Sequence, residues 1–207
     1  MEKLTTTQLL AMFTKMNYEL IDTPYYPNLY GVRKETSVPN RFDDFVGAIW
    51  KDKYGKWLSC CYEATTDAGS FWLQNPMNVN GTAIIVPGQY KNVYKIGTHT
   101  GYAAYEQIKP FTYVRDNNKN NVLDWLYRVV GYKKYIENGK TNLHHAGKIA
   151  ETPSTLVEKW SAGCQVVRRI LEFGALLSLG KDFITIFKGK NEFNYTLFEE
   201  KDIVYEN

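Results

Sequence analysis

The sequence has little of what usually classifies a chain at sight. Its three cysteines, Cys60, Cys61 and Cys164, are an odd number, and adjacent Cys60 and Cys61 point to opposite faces of a strand, which argues against a disulfide framework. Close Cys-x2-Cys pairs are missing, so no structural zinc site is expected. No apolar run approaches the roughly 20 residues that span a bilayer, so no membrane span is expected. The opening residues, Met1-Glu-Lys-Leu-Thr-Thr-Thr7, contain an acidic side chain and lead into no apolar stretch of a secretory signal. Charge of one sign is also missing: 25 basic against 22 acidic side chains leave +3, too little to suggest nucleic acid as a partner. Repeats and Pro- or Ser-rich linkers are absent, and Gly139-Lys140-Thr141 lacks the upstream glycine of a phosphate-binding loop.

What is present is an ordinary globular composition, 44% hydrophobic and 23% charged over 207 residues, enough for one sizeable core. A single domain is expected, with residues 1–24 as an N-terminal helix and lead-in and 25–207 as the core. Aromatic residues reach 15%, including 16 Tyr, and favour strands. Thr5 to Thr7 offer capping hydroxyls ahead of Leu9, Met12, Phe13, Met16 and Leu20, a helical stripe. Short β-type runs follow at 45–50, 57–63, 71–74, 82–86 and 111–114. A loop with Gly55, the 75–81 segment and Pro87-Gly88 supply the turns between them. A second helix is expected over 167–179, stopped by Gly180, and then a hairpin of strands at 183–187 and 193–198. The fold class is therefore β-rich α+β, and short strands joined by such turns suggest a sandwich or barrel-like sheet.

Chemistry concentrates in Asn142-Leu-His-His-Ala-Gly147 and Lys159-Trp-Ser-Ala-Gly-Cys-Gln-Val-Val167. A free thiol is only about 3% ionised at pH 7, so a cysteine nucleophile usually needs an imidazole beside it. In an extended segment His144 and His145 face opposite ways, and His144 is taken as the base. Gly163 leaves room for a substrate carbonyl and for backbone amides to form an oxyanion hole. Ser161 is placed to brace that loop or the histidine.

His144, sixteen intervening residues and then Ser161-x-Gly163-Cys164 resemble the active-site signature of the L,D-transpeptidase (YkuD-like) family. Thr65-Thr66-Asp67-Ala-Gly69-Ser-Phe71-Trp-Leu73 is similar to that family's upstream strand element. Gly81 to Tyr90, Gly97-Thr-His99, Arg115-Asp116 and Trp160 to Gln165 also look like a divergent branch from phages and Bacteroides-type bacteria. The resemblance implies an L,D-transpeptidase-like β-sandwich and a Cys164 acyl-enzyme with His144 as base. Gly163, Ser161 and His145 would support the oxyanion and loop, and peptidoglycan stem peptides would be the substrate. His99, Tyr90, Trp160 and Gln165 are the candidate substrate contacts. Ala162 stands where the family has a second histidine, and Gln165 and Val166 where it has an apolar residue and Asn or Arg, a role for which Arg168 or Arg169 are stand-ins.

With no export signal read, the expected place of action is the cell wall, after lysis or from a virion, with other virion proteins as further partners. The rival expectation is a non-catalytic wall-binding or structural phage protein. No cofactor is required, although Asp116, Asn118, Asn120 and Asp124 fall at calcium-loop positions, without the Gly and Glu of a full loop.

Overall fold

The computed structural model describes residues 2–36 and 38–205, so Met1, the first residue of the segment read for a signal, lies outside them. Helix α1 spans Thr6–Lys15. The Thr5 hydroxyl accepts from the Gln8 N–H while the Gln8 side chain accepts from the Thr5 N–H, a reciprocal cap. Leu9, Met12 and Phe13 form its buried stripe and pack with Tyr30, Val32, Ile49 and Phe198; Leu20 lies past the helix end.

The strands are β1 (Asn28–Arg33), β2 (Asp44–Lys51), β3 (Trp57–Thr65), β4 (Thr82–Ile85), β5 (Gly88–His99), β6 (Tyr102–Gln107), β7 (Phe111–Asp116), β8 (Tyr135–Glu137), β9 (Leu143–His145), β10 (Gln165–Val167) and β11 (Phe193–Glu199). Eight of them close a barrel in the order β1-β11-β5-β6-β9-β10-β3-β2, and β4, β7 and β8 form a separate three-stranded sheet. The protein is thus β-rich α+β, and its main sheet is a mixed closed barrel, the barrel-like of the two expected arrangements and not the sandwich that the family resemblance implies. Closure follows from β1, which pairs antiparallel with β2 on one side and parallel with β11 on the other. Strands β1 and β11 are buried along their whole length, because the barrel core takes one face and the α1 cluster covers the other. Their sequences accordingly lack clean alternation.

Three expectations need correction. Residues 71–74 are not a strand: they form α2 (Ser70–Gln74), where the N–H groups of Trp72 and Leu73 return to the Gly69 carbonyl and Leu73 is buried. The second helix, α3, runs Ile170–Ile186 and passes straight through Gly180, so 183–187 is helix and no terminal hairpin forms. The apolar stripe explains this, since Phe173, Leu176, Leu177 and Phe183 all point into the barrel core. Gly180 is there for space: a Cβ would stand 2.6 Å from the Tyr105 hydroxyl, which donates to the Leu176 carbonyl. Among the described residues no helix is long and apolar enough to cross a membrane.

Candidate active site

The parallel pair β9–β10 builds the site. Its register sets Gln165 beside Leu143 and Val166 beside His144, and the Gln165 N–H donates to the Asn142 carbonyl. Side chains alternate along strands, so Asn142, His144 and Ala146 share one face with Cys164 and Val166. Ala146, Cys164 and Val166 pack there with Trp160 and Phe42. The Cys164 thiol lies 3.9 Å from the Lys140 carbonyl. Strand β10 also pairs with β3, Val166 opposite Thr65, and the Gly69 N–H donates to the Ser161 carbonyl. The 64–73 segment therefore lies directly against the cysteine segment.

His144 is fully buried, and its partners assign its protons. Nδ1 is 2.9 Å from the His145 carbonyl, an acceptor only, so Nδ1 carries the hydrogen; the Tyr102 hydroxyl stands 3.0 Å from the same nitrogen. Nε2 is then the basic nitrogen; it is buried and makes no close hydrogen bond among the described residues, although the Trp160 carbonyl also acts on the ring. The His99 ring stacks on His144 with centroids 4.0 Å apart. Asn142 Oδ1 takes the Gln107 N–H, which turns its amide nitrogen to His99 Nδ1 at 3.1 Å. His99 Nδ1 is therefore an acceptor, and its hydrogen sits on Nε2.

Ser161 organises the turn before Cys164. Its hydroxyl donates to the Cys164 carbonyl at 2.8 Å and accepts from the Gly163 N–H at 3.1 Å. The Gly163 amide, expected among the backbone donors of an oxyanion hole, is consumed there. Gly163 has φ +124, and a Cβ would meet the Ala83 carbonyl at 2.9 Å, so glycine is needed both for conformation and for approach.

A cavity of about 860 Å³ opens on this face, lined by Cys164, His99, Trp160, Trp72, Lys140 and Lys159 among others. His99 and Trp160 thus reach it. Gln165 and Tyr90 do not line it: Gln165 is buried, donating to the Thr66 and Gly163 carbonyls and accepting from the Tyr195 hydroxyl, and the Tyr90 hydroxyl donates to the Val86 carbonyl. His145 points the other way, against Tyr102 and Phe173. Arg168 is held by Glu63 and the Ser154 carbonyl, and Arg169 stands at the start of α3 without a side-chain capping bond. The calcium-type loop is closed on itself. Asn118 and Asn120 accept backbone N–H groups two residues on, Asp116 accepts the Asp124 N–H, and the Asn118 amide donates to Asp124. Among the described residues no group of three or more His, Cys, Asp or Glu side chains is placed to hold a metal ion.

Burial dominates the electrostatics. It pushes the Cys164 thiol up to about 11, against an opposing contact from the Asn142 amide. It pulls His144 down to about 3, helped by neighbouring His99 and opposed by the carbonyls of His145 and Trp160. His99 is lowered by burial and then by His145. Near neutral pH the Cys164 thiol and the His144 imidazole are therefore both uncharged. Cys60 is also raised to about 11 and Cys61 is raised, both by burial. At pH 7.5 iodoacetamide should therefore label native Cys164 roughly two orders of magnitude more slowly than a free thiol. Intact-mass kinetics with and without denaturant check this, and rapid native labelling at Cys164 would indicate a thiolate–imidazolium pair instead.

Sequence reasoning missed Asn142 and Tyr102. Asn142 carried a usable signal, being two residues before His144 and thus on its face; Tyr102 becomes visible only when β5 and β6 pair it with His99. No family model matches the chain, and comparisons with the curated proteins and with the solved structures give no match either.

Proposed function

We propose that the protein is a peptidoglycan-directed cysteine peptidase or transpeptidase, with an L,D-transpeptidase-like catalytic arrangement, acting on stem peptides through an acyl-enzyme on Cys164. The observation that carries this reading is a cavity-lining cysteine on the same face of the β9–β10 pair as a buried histidine whose Nε2 is basic and makes no close hydrogen bond. Cys164 attacks a peptide carbonyl while its proton passes to His144 Nε2, where the Trp160 carbonyl favours the protonated ring. The Cys164 amide supports the oxyanion, His144 returns the proton to the leaving amine, and water or a second amine resolves the thioester. Packing of 64–73 against the cysteine segment supports the reading, because the two stretches that carry the family resemblance lie together. Action at the wall, after lysis or from a virion, completes the proposal.

The second reading is a non-catalytic wall-binding or structural virion protein. It is favoured by the raised thiol, whose nearest hydrogen-bond acceptor is the Lys140 carbonyl. Mass spectrometry after incubation with disaccharide-peptides, and separately with a carbapenem, separates the two. An adduct on Cys164, lost in Cys164→Ala and reduced at least a hundredfold in rate in His144→Ala, is expected. Folded, reduced protein that gives neither adduct nor product would favour the second reading.

A further inference from the structure

Three connections leave the same end of the small sheet. Strand β4 starts at Thr82, opposite Asp116 at the end of β7, and β8 runs antiparallel to β7, so the turn before β4, the segment after β7 and the turn before β8 lie side by side. Hydrogen bonds tie them together: the Asn117 amide donates to the Val79 carbonyl at 3.3 Å, and the Tyr132 hydroxyl to the Arg115 carbonyl at 3.1 Å. Each connection presents a bare valine to water. Val79 is 89% exposed, Val122 53% and Val130 99%. Val130 stands at the corner of a turn closed by the Tyr132 N–H on the Val129 carbonyl, with Gly131 at φ +78 in the position that requires positive φ. A side chain held out in this way contributes nothing to the core. Residues 75–81, 117–122 and 129–134 also carry Lys119, Lys133 and Lys134, all exposed, and no Asp or Glu. The acidic groups behind them are already engaged: Glu137 pairs with Arg115, Glu199 with Arg128 and Lys201, and Asp124 takes the Asn118 amide. This end of the molecule is therefore both apolar at its tips and cationic.

We infer that this end of the small sheet is a peripheral docking surface for an anionic phospholipid bilayer, in which Val79, Val122 and Val130 enter the headgroup layer while Lys119, Lys133 and Lys134 meet lipid phosphates. Interfacial binding grows with the apolar area taken out of water and with the attraction of basic groups to anionic lipid, and this surface supplies both. A protein partner fits it less well. The centre of a protein interface is depleted of lysine and closely shape-matched, whereas aliphatic tips on separate turns, with lysines between them, need only a soft layer to enter. A soluble polyanion would use the lysines and leave the valines without a role. The docking surface is independent of whether Cys164 is catalytic.

Co-sedimentation with vesicles tests this, using phosphatidylcholine alone and an equal mixture of phosphatidylcholine and phosphatidylglycerol. Affinity for the anionic vesicles should exceed that for the neutral ones by about a hundredfold at low salt, and the difference should shrink as salt is added. Val130→Asp should weaken anionic binding about tenfold, and Lys133→Gln with Lys134→Gln about thirtyfold. Leu171→Asp, at an exposed apolar position of α3, should change nothing. All four positions are exposed, so unchanged urea midpoints are expected and separate lost docking from lost folding. Equal binding to both vesicles, or binding to neither, overturns the inference. So does binding that survives Val130→Asp, fails in the lysine variant and is matched by soluble polyphosphate, which is attraction to any polyanion. A wild-type protein that is dimeric without vesicles and monomeric as Val130→Asp would assign the surface to a second copy of the chain and overturn it as well.

Discussion

Replacing Arg33 by Met is expected to lower the unfolding free energy by about 3–5 kcal/mol and the melting temperature by roughly 10 °C. Arg33 is fully buried at the end of β1. Its Nε lies 2.8 Å from Asp67 and 3.0 Å from the Thr66 hydroxyl, and its Nη groups donate to the carbonyls of Ile85 and Thr66. Trp125 and Tyr127 rings lie 5.7 and 5.6 Å from the guanidinium. Burial works against its charge, but Asp67, then Tyr127 and Asp44, more than offset that and hold the guanidinium firmly protonated. The Asp44 carboxyl is already pushed well up by burial and then by Asp67, while N–H donors from Lys34 and Thr66 oppose the rise. Without Arg33 these two carboxyl groups share a dry site with no cation. Urea unfolding reads the loss, and adding Asp67→Asn should restore part of it, because the unpaired charge and not the lost volume is the main cost. A loss below about 1 kcal/mol would show that water reaches the cluster. The effect should extend to the site, since the Thr66 carbonyl that Arg33 holds also accepts from Gln165, which braces the Gly163 carbonyl.

Acid should destabilise the protein through His144. The ring titrates near 6.5 in the unfolded chain and at about 3 in the folded one. Between those values the unfolded state binds a proton that the folded state refuses, so stability is full above pH 6.5 and falls as pH drops toward 3. At pH 5 the loss is about 2 kcal/mol. Urea midpoints at pH 7 and pH 5 test this: the drop should be about 2 kcal/mol smaller in His144→Gln than in wild type, with His99, His145 and the carboxylates contributing to both. Equal drops would mean that His144 titrates as an exposed histidine does.

Much of this architecture was legible where local chemistry decides it. Thr5 and the Leu9, Met12, Phe13 stripe define α1, and the aromatic and β-branched runs at 45–50, 57–63, 82–86 and 111–114 fall within strands except for Val86, one residue past β4. Gly55 and Gly81 mark turns with positive φ. Errors arose where tertiary space decides. Gly180 has the composition of a helix stop, yet it clears room for Tyr105; Phe71 to Gln74 have strand-like side chains but no strand to pair with. Short strands joined by turns suggested a sandwich or a barrel-like sheet, but which strands close the barrel was not legible, because closure depends on β1 meeting β11 across most of the chain. At the site, the alternation that puts Asn142, His144 and Ala146 on one face was readable. The loss of the Gly163 amide to Ser161 and the aiming of Gln165 at Thr66 and Tyr195 were not, since both arise from contacts that form only on folding.

The parallel pairing of β1 with β11 has a consequence for how the chain acquires its shape. Leu29 finds its neighbour at Tyr195, so the final ladder closes one of the largest loops the molecule can make, and its entropy is lost before any of its contacts form. During synthesis the early strands wait with an unpaired edge until the last strand emerges, a period in which they can join another copy's β11 or aggregate. Refolding should be slow for a domain of this size, and an added peptide matching residues 193–199 should compete with the chain's own strand for the waiting edge of β1.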